Sequence, residues 1–203
     1  MELEQALSER RSVKSYDPQH EISDDLLREL FEKVVRSPSS FNLQHWRFVL
    51  VRDAERRQQM QAACYGQSHV GECSVDVVVC GKLDAHEDAG RVWADAPAEV
   101  TSKMVPMIGG FYATNDQLKR DEAIRSASLA SMSLMLMARS MGLDTCPMIG
   151  IDPKKVAALI ELPDDHIPVM LITLGKAATE GRPSSRLPVN EVVQLETFGG
   201  PGL

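Results

Sequence analysis

Between Arg125 and Arg139 the chain carries no charge, and this stretch limits its possible folds more than any other. Ala127, Ala130, Ser131 and Ala138 alternate there with Leu129, Met132, Leu134, Met135, Leu136 and Met137. A helix from Arg120 to Met141 would therefore be apolar around most of its circumference, and such a helix must be covered on more than one side. In a chain of 203 residues the economical cover is its own core on one side and a second copy on the other, with the small residues letting backbones approach. The expectation is a homodimer. The methionine stripe reads as packing rather than as a cofactor box. A membrane span is not expected, because the run Ser126 to Ala138 falls short of the ~20 residues a bilayer needs.

Other elements follow from local chemistry. A short helix is expected from Glu2 to Glu9. Ile22-Ser23-Asp24-Asp25 opens a second, with Ser23 as N-cap, the aspartates at the positive end of the dipole and Ile22 stapled onto Leu27. Leu26, Leu27, Leu30, Phe31, Val34 and Val35 form its apolar face, and Pro38 lies just past its end. Arg47 to Val51 reads as a strand, and Asp53 caps a polar helix to about Cys64. The β-branched run from Val75 to Cys80 suits a buried central strand. Asp84 to Glu99 is an acidic excursion, better read as solvated than as an acid/base or metal site. Met104 to Tyr112 is expected to be helical and to form a lid. Gly142 is placed to end the long helix, Asp152-Pro153 to open another to about Glu161, and Ile167 to Leu174 to form a strand with Pro168 at its start. The tail from Lys176 to Leu203 reads as a wrapping arm. No repeat or linker divides the chain, so residues 1–203 are expected to form a single domain.

The formal net charge of −7 and a pI near 5.3 argue against nucleic acid and anionic membranes as partners, since both need a basic face. Cys64, Cys73, Cys80 and Cys146 lack C-x-x-C spacing and read as buried thiols of a cytoplasmic protein. The N-terminus is acidic and has no apolar segment typical of a secretory signal. G-x-S-x-G, H-E-x-x-H, P-loop and G-x-G-x-x-G patterns are absent, and the five histidines are scattered. Against this acidic background Arg10-Arg11-Ser12-Val13-Lys14 gathers three cations and a hydroxyl. Guanidinium groups can grip phosphate oxygens through parallel hydrogen bonds, so the cluster is a candidate anion cradle.

Four separated pieces carry a resemblance: Arg10-Arg11-Ser12-Val13-Lys14, Pro38-Ser39-Ser40-Phe41-Asn42-Leu43-Gln44-His45-Trp46, Cys146-Pro147-Met148-Ile149-Gly150, and Gly175-Lys176 with Arg186-Leu187-Pro188. In order and spacing the chain resembles the FMN-dependent nitroreductase family, in particular its short bacterial NAD(P)H oxidoreductases, from about residue 9 to about 193. The resemblance implies an α+β fold, with a central, mostly antiparallel sheet among helices. It also implies an intertwined homodimer with a wrapping C-terminal arm and two FMN sites at the interface. Residue by residue, it gives Arg10 and Ser12 the phosphate and ribityl positions, with Arg11 beside them, and Lys14 the flavin pyrimidine edge. Pro38, Ser39, Ser40 and Asn42 match the segment lent by the partner subunit, Gln67 a side chain near the pyrimidine, Ile149 and Gly150 the backbone that approaches N5, and Arg186 the tail cation on the phosphate. The family commonly has proline where this chain has His45 and a second basic residue where it has Ser184.

The function so implied is an FMN-dependent NAD(P)H oxidoreductase that reduces nitroaromatics or quinones by a ping-pong transfer of hydride through flavin N5. The flavin would carry the chemistry, with Lys14 as electrostatic support and no catalytic side chain. Ene reduction, reductive dehalogenation or flavin reduction on the same scaffold, and flavin binding without catalysis, are the alternatives.

Overall fold

The valine run after Ser74 lies in the middle of the molecule. In the computed structural model, which describes residues 1–203, the elements in chain order are α1 (Leu3–Glu9), α2 (Asp24–Val34), β1 (Trp46–Val51), α3 (Ala54–Ala63), α4 (Ser68–Glu72), β2 (Val75–Lys82), α5 (Ala89–Val92), α6 (Ala98–Tyr112), α7 (Asp116–Ser140), β3 (Asp144–Met148), α8 (Pro153–Leu159), β4 (His166–Gly175) and α9 (Val189–Val192). The four strands form one antiparallel sheet in the order β1-β2-β4-β3. The fold is α+β, as the resemblance implies.

Alternate residues of β2 serve two cores, which explains why the run Val77 to Cys80 is apolar on both faces. Val75, Val77 and Val79 pack with Leu27, Leu30 and Val34 of α2 and Ala127, Ala130, Leu134 and Ala138 of α7. Val78 and Cys80 face the other way, onto Met60, Ala63 and Cys64 at the end of α3, Val70 of α4 and Val156 of α8. Ser23 caps α2 by accepting from Leu26 N, Asp53 caps α3 through Arg56 N, and Asp152 caps α8 through Lys154 N and Lys155 N. Pro168 is the third residue of β4, not its first, and sits where the register with β2 shifts between Val79 and Cys80. A bulge removes the need for the hydrogen bond that proline cannot donate.

The long helix starts four residues earlier than expected, because Asn115 accepts from Leu118 N and fixes its first turn. Gly142, at φ +79°, ends it in the left-handed conformation. One side of α7 is buried on the sheet, while Leu129 and Met132 on the other are exposed. The acidic excursion is more structured than expected. Ala85 and Ala89 are buried against Ile108 and Tyr112, and Lys82 Nζ pairs with Asp88 at 2.8 Å and Asp84 at 3.5 Å. α6 likewise begins at Ala98, carrying Pro106 inside it, where Met104 was the expected start. From Arg182 to Gly199 every residue is exposed, so the tail leaves the core as an arm. No helix is long and apolar enough to cross a membrane, and all four cysteines are free and buried.

Candidate active site

The basic cluster lies on a strap that leaves α1 and crosses the open edge of β3. Ser12 bridges Thr145, Tyr16 bridges Ala177, and Val13 N donates to Thr145 O at 3.1 Å. Extended backbone puts alternate side chains on opposite faces. Val13 therefore turns inward, 2% exposed, while Ser12 and Lys14 are exposed, and Arg10 shares their register. Arg11 belongs to the other register. Its Nη1 donates to Ser8 O at 2.6 Å and Arg10 O at 2.9 Å, and it lines a charged cleft with Glu9, Arg139, Asp144 and Lys176.

Arg10 is the most strained cation of the group. Its Nη1 is buried without a hydrogen-bond partner. Burial, then the nearby guanidinium groups of Arg186 and Arg11, hold its pKa below the ordinary arginine range. A buried donor without an acceptor is costly, and like charges raise the cost. A multiply charged anion seated among these groups would relieve both. Beside them Ser12, Lys14, Thr179, Glu180, Arg182 and Ser184 line a cavity of about 580 Å³ with no hydrophobic residue in its wall. Lys14 and Arg10 both act on the Cys146 thiol, favouring its ionised form, although burial wins and pushes its pKa up. The same Lys14 charge, after burial itself, lowers the pKa of His69. His69 Nε2 touches Met148 Sδ at 3.2 Å. The structure thus gathers Arg10, Ser12, Lys14 and Arg186 at one corner. It also joins Gln67 to Gly150, whose carbonyl accepts from Gln67 Nε2 at 3.0 Å. Ile149 is 84% exposed.

The loop with Pro38, Ser39, Ser40 and Asn42 is elsewhere. Trp46, where it enters β1, is level with Gly81 of β2 and through it with Ile167 of β4, whereas the strap is level with Thr145 and Leu174. Four strand spacings across and seven residues along β4 place the two roughly 30 Å apart. One chain therefore does not bring both to one small ligand. The loop is tightly shaped all the same. Phe41, Asn42 and Gln44 have positive φ (48°, 55° and 51°), Gln44 N donates to Ser39 Oγ at 2.9 Å, Tyr112 Oη bonds Ser40 Oγ at 2.8 Å, and Trp93 Nε1 donates to Phe41 O at 3.0 Å. Phe111 and Tyr112 also pack edge-on against Phe41.

Sequence reasoning did not find Trp93 or His69, and read Tyr112 as packing by default, with a lid or a ring stacked over the acceptor as the functional reading. The indole N–H of Trp93 was the one available signal, since a half-buried Trp seeks an acceptor. His45 is buried under the loop with Nδ1 unpartnered. Burial, then His86 and Arg47, lower its pKa to about 4, so it is neutral at pH 7.

Comparison with known proteins bears on this arrangement. The model of the nitroreductase family matches residues 7–176. The protein DrgA of Synechocystis is 40% identical over 92% of this chain and 89% of its own length. MhqN of Bacillus subtilis, whose name assigns it provisionally as an NAD(P)H nitroreductase, is 38% identical over 95% of this chain and 98% of its own. A nitroreductase-type protein of Exiguobacterium sibiricum, solved in complex with FMN, superposes with a TM-score of 0.91 at 31% identity, covering 97% of this chain and 98% of that one. A family match that takes in the strap, the loop, Gln67 and the Ile149–Gly150 turn, supported by relatives of equal length, has one meaning: the chain belongs to the nitroreductase family.

Proposed function

We propose that the protein is an FMN-dependent NAD(P)H oxidoreductase acting on nitroaromatic or quinone acceptors, built as a single domain over residues 1–203 and working as a homodimer. The observation that carries this reading is the buried, unpartnered Nη1 of Arg10 among the cations of Arg186 and Arg11, because a flavin mononucleotide phosphate is the kind of dianion that such a cluster lacks. Bound FMN would supply the two-electron chemistry that links oxidation of NAD(P)H to reduction of a second substrate. The chain's own groups bind and tune. Arg10 and Arg186 hold the phosphate, with the Ser12 hydroxyl beside them. Lys14 sets a positive charge where the pyrimidine end becomes electron-rich, which stabilises that charge in place. Gly150 lets backbone lie against the ring.

The distance between the two corners supports a dimer. A second copy would lend the loop carrying Pro38, Ser39, Ser40 and Asn42 to the strap of the first. The surfaces left uncovered within one chain suit the same arrangement: the apolar outer side of α7, with Leu129 and Met132, and a groove between α2 and β1 lined by Leu27, Phe31, Val35 and Leu50 together with the charged Asp24, Arg28, Glu32 and Arg52. The arm's exposed Leu187, Val189, Val192, Leu195 and Phe198 would fill such a groove on the other copy. Four reduced thiols fit a cytoplasmic setting.

The absorbance spectrum tests the reading. The purified protein should show the two visible bands of an oxidised flavin, lose them on anaerobic addition of NADPH, and regain them when a quinone is added. A colourless protein that takes up no FMN would overturn it. Sedimentation should give about twice the chain mass of 22.4 kDa.

A further inference from the structure

His45, the residue before β1, is held firmly by its main chain and poorly by its side chain. Its carbonyl accepts from Lys82 N at 2.7 Å. Its ring is 1% exposed, and Nδ1 is buried without a partner. The ring centroid lies 6.3 Å from that of Tyr112. His86 lies against the same tyrosine, 5.4 Å away and tilted by 32°, and its Nδ1 is also buried and unpartnered. Two imidazoles, each with an orphaned nitrogen, thus flank the ring whose hydroxyl bonds Ser40 Oγ at 2.8 Å.

No counter-ion is free for an imidazolium at this place. The loop from Ser37 to Gln44 carries no charge, and α6 and α7 pack there through Met104, Val105, Ile108, Tyr112 and Leu118, none of them charged. β1 brings Arg47, a like charge. β2 and the stretch after it bring Lys82, Asp84, Asp88 and Arg91, whose carboxylates are already engaged. Asp88 pairs with Lys82 at 2.8 Å, Arg91 at 3.6 Å and Arg47 at 3.7 Å, and Asp84 pairs with Lys82 at 3.5 Å; Glu87 is exposed. A proton added to His45 therefore meets neither carboxylate nor water while the loop is closed. The loop is poised to yield, since bonds from Ser39, Trp93 and Tyr112 hold it against left-handed backbone at Phe41 and Gln44.

We propose that His45, backed by His86, is an acid-operated latch: a proton taken from solvent by His45 opens the loop and so loosens the flavin site that this loop completes on the partner copy. The proposal rests on the FMN and dimer reading above. The ring is neutral in the closed loop and free to charge in the open one, so protons favour the open form by mass action. Burial, then His86 and Arg47, lower the pKa of the seated ring from 6.5 to about 4. The closed form is fully favoured above the higher value and loses ground as pH falls between the two. The loop-opening constant should rise about thirtyfold from about pH 7.5 to about pH 5.

Amide hydrogen exchange at Asn42 and Leu43, whose N–H groups donate to Ser39 O at 3.0 Å and Ser40 O at 2.9 Å, reads that constant once the intrinsic rate at each pH is divided out. His45→Phe and His45→Gln, two replacements that do not titrate, should each abolish the rise. In the FMN-loaded protein, affinity for FMN relative to His45→Phe at the same pH should fall about threefold to thirtyfold over the range. The ratio cancels the titration of the FMN phosphate itself. Four outcomes would overturn the latch and leave the FMN reading intact: an opening constant that ignores pH, the same rise in both variants, a flat affinity ratio, or loop amides as protected as that of Val78 in β2, which would make the opening global. A wild-type protein that binds no FMN would overturn both.

Discussion

The strap from Arg10 to Tyr16 and the loop from Ser37 to His45 both offer polar groups at the surface, but they are held in opposite ways. Main chain holds the strap: Val13 N donates to Thr145 O, Asp17 N to Lys176 O at 2.8 Å and Ala178 N to Ser15 O at 2.9 Å, and no residue between Arg10 and Tyr16 has positive φ. Its outward side chains are free to meet a ligand. Side chains hold the loop, through Ser39, Trp93 and Tyr112, against unfavourable left-handed backbone at Phe41 and Gln44. The strap should therefore keep its shape when its own side chains change. The loop should lose its shape when residues far along the chain change.

Each segment also rests on a buried titratable group, and the two groups respond to pH with opposite signs. Asp76 lies beneath the strap. Cys73 Sγ donates to its Oδ1 at 3.3 Å and packs with Val13 and Tyr16, while Oδ2 has no partner. Burial pushes its pKa from 3.8 up to about 8. Below the lower value the carboxyl is protonated whether the chain is folded or not, and costs nothing. Between the two, the unfolded chain releases a proton that the folded chain keeps, so stability falls as pH rises, by about 1.4 kcal/mol per unit. Urea unfolding from about pH 5 to about pH 7.5 should show this decline in wild type and lose it in Asp76→Asn, a difference of several kcal/mol across the window. Equal slopes would remove the strap's half of the contrast.

His45 gives the mirror image over a narrower range. Its pKa falls from 6.5 to about 4, so between these values the unfolded chain holds a proton that the folded chain lacks. Stability is complete above the higher value and is lost as pH drops through the window, at the same ~1.4 kcal/mol per unit. His45→Phe, which also removes the unpartnered Nδ1, should flatten that part of the acid limb by about 3 kcal/mol in total. An acid limb identical to wild type would show that the histidine is not held neutral beneath the loop.

Arg10→Ala separates ligand binding from folding. A charge-assisted hydrogen bond contributes about 1.5–3 kcal/mol, so FMN should bind roughly tenfold to a hundredfold more weakly by fluorescence titration. Thermal stability should stay level or rise, because a half-buried, crowded cation with an unpartnered Nη1 has been removed. A large fall in stability would mean that the strap depends on its side chains after all.

These contrasts mark what the sequence made legible. The valines of β2, the charge-free stretch of α7 between Arg125 and Arg139 and the caps Ser23, Asp53 and Asp152 are local signals, each set by neighbours within a turn or a strand, and each reappears in the fold. The inward turn of Val13 and the outward turn of Ser12 and Lys14 obey the same short period. Nothing local encodes the bond from Tyr112 to Ser40, 72 residues apart, or from Trp93 to Phe41, 52 apart. The positive φ values at Phe41 and Gln44 run against residue preference. Resemblance named the loop's polar residues as a site segment, but the side chains that shape it became visible only in three dimensions.

Tyr112→Phe has the smallest expected effect and gives the sharpest geometric test. It deletes the 2.8 Å bond to Ser40 and keeps the ring packing, which should cost about 1 kcal/mol of stability and weaken FMN binding roughly fivefold. Its value lies in mixed dimers with Arg10→Ala. If the loop of one copy completes the strap site of the other, a dimer of one Arg10→Ala and one Tyr112→Phe subunit carries both lesions in one site and none in the other. Half of its sites should then bind FMN with wild-type affinity. If each chain completed its own site, every site would carry one lesion and no wild-type affinity would remain. The separation of roughly 30 Å between strap and loop within one chain leads us to expect the first result, and titration of purified, differently tagged mixed dimers distinguishes the two.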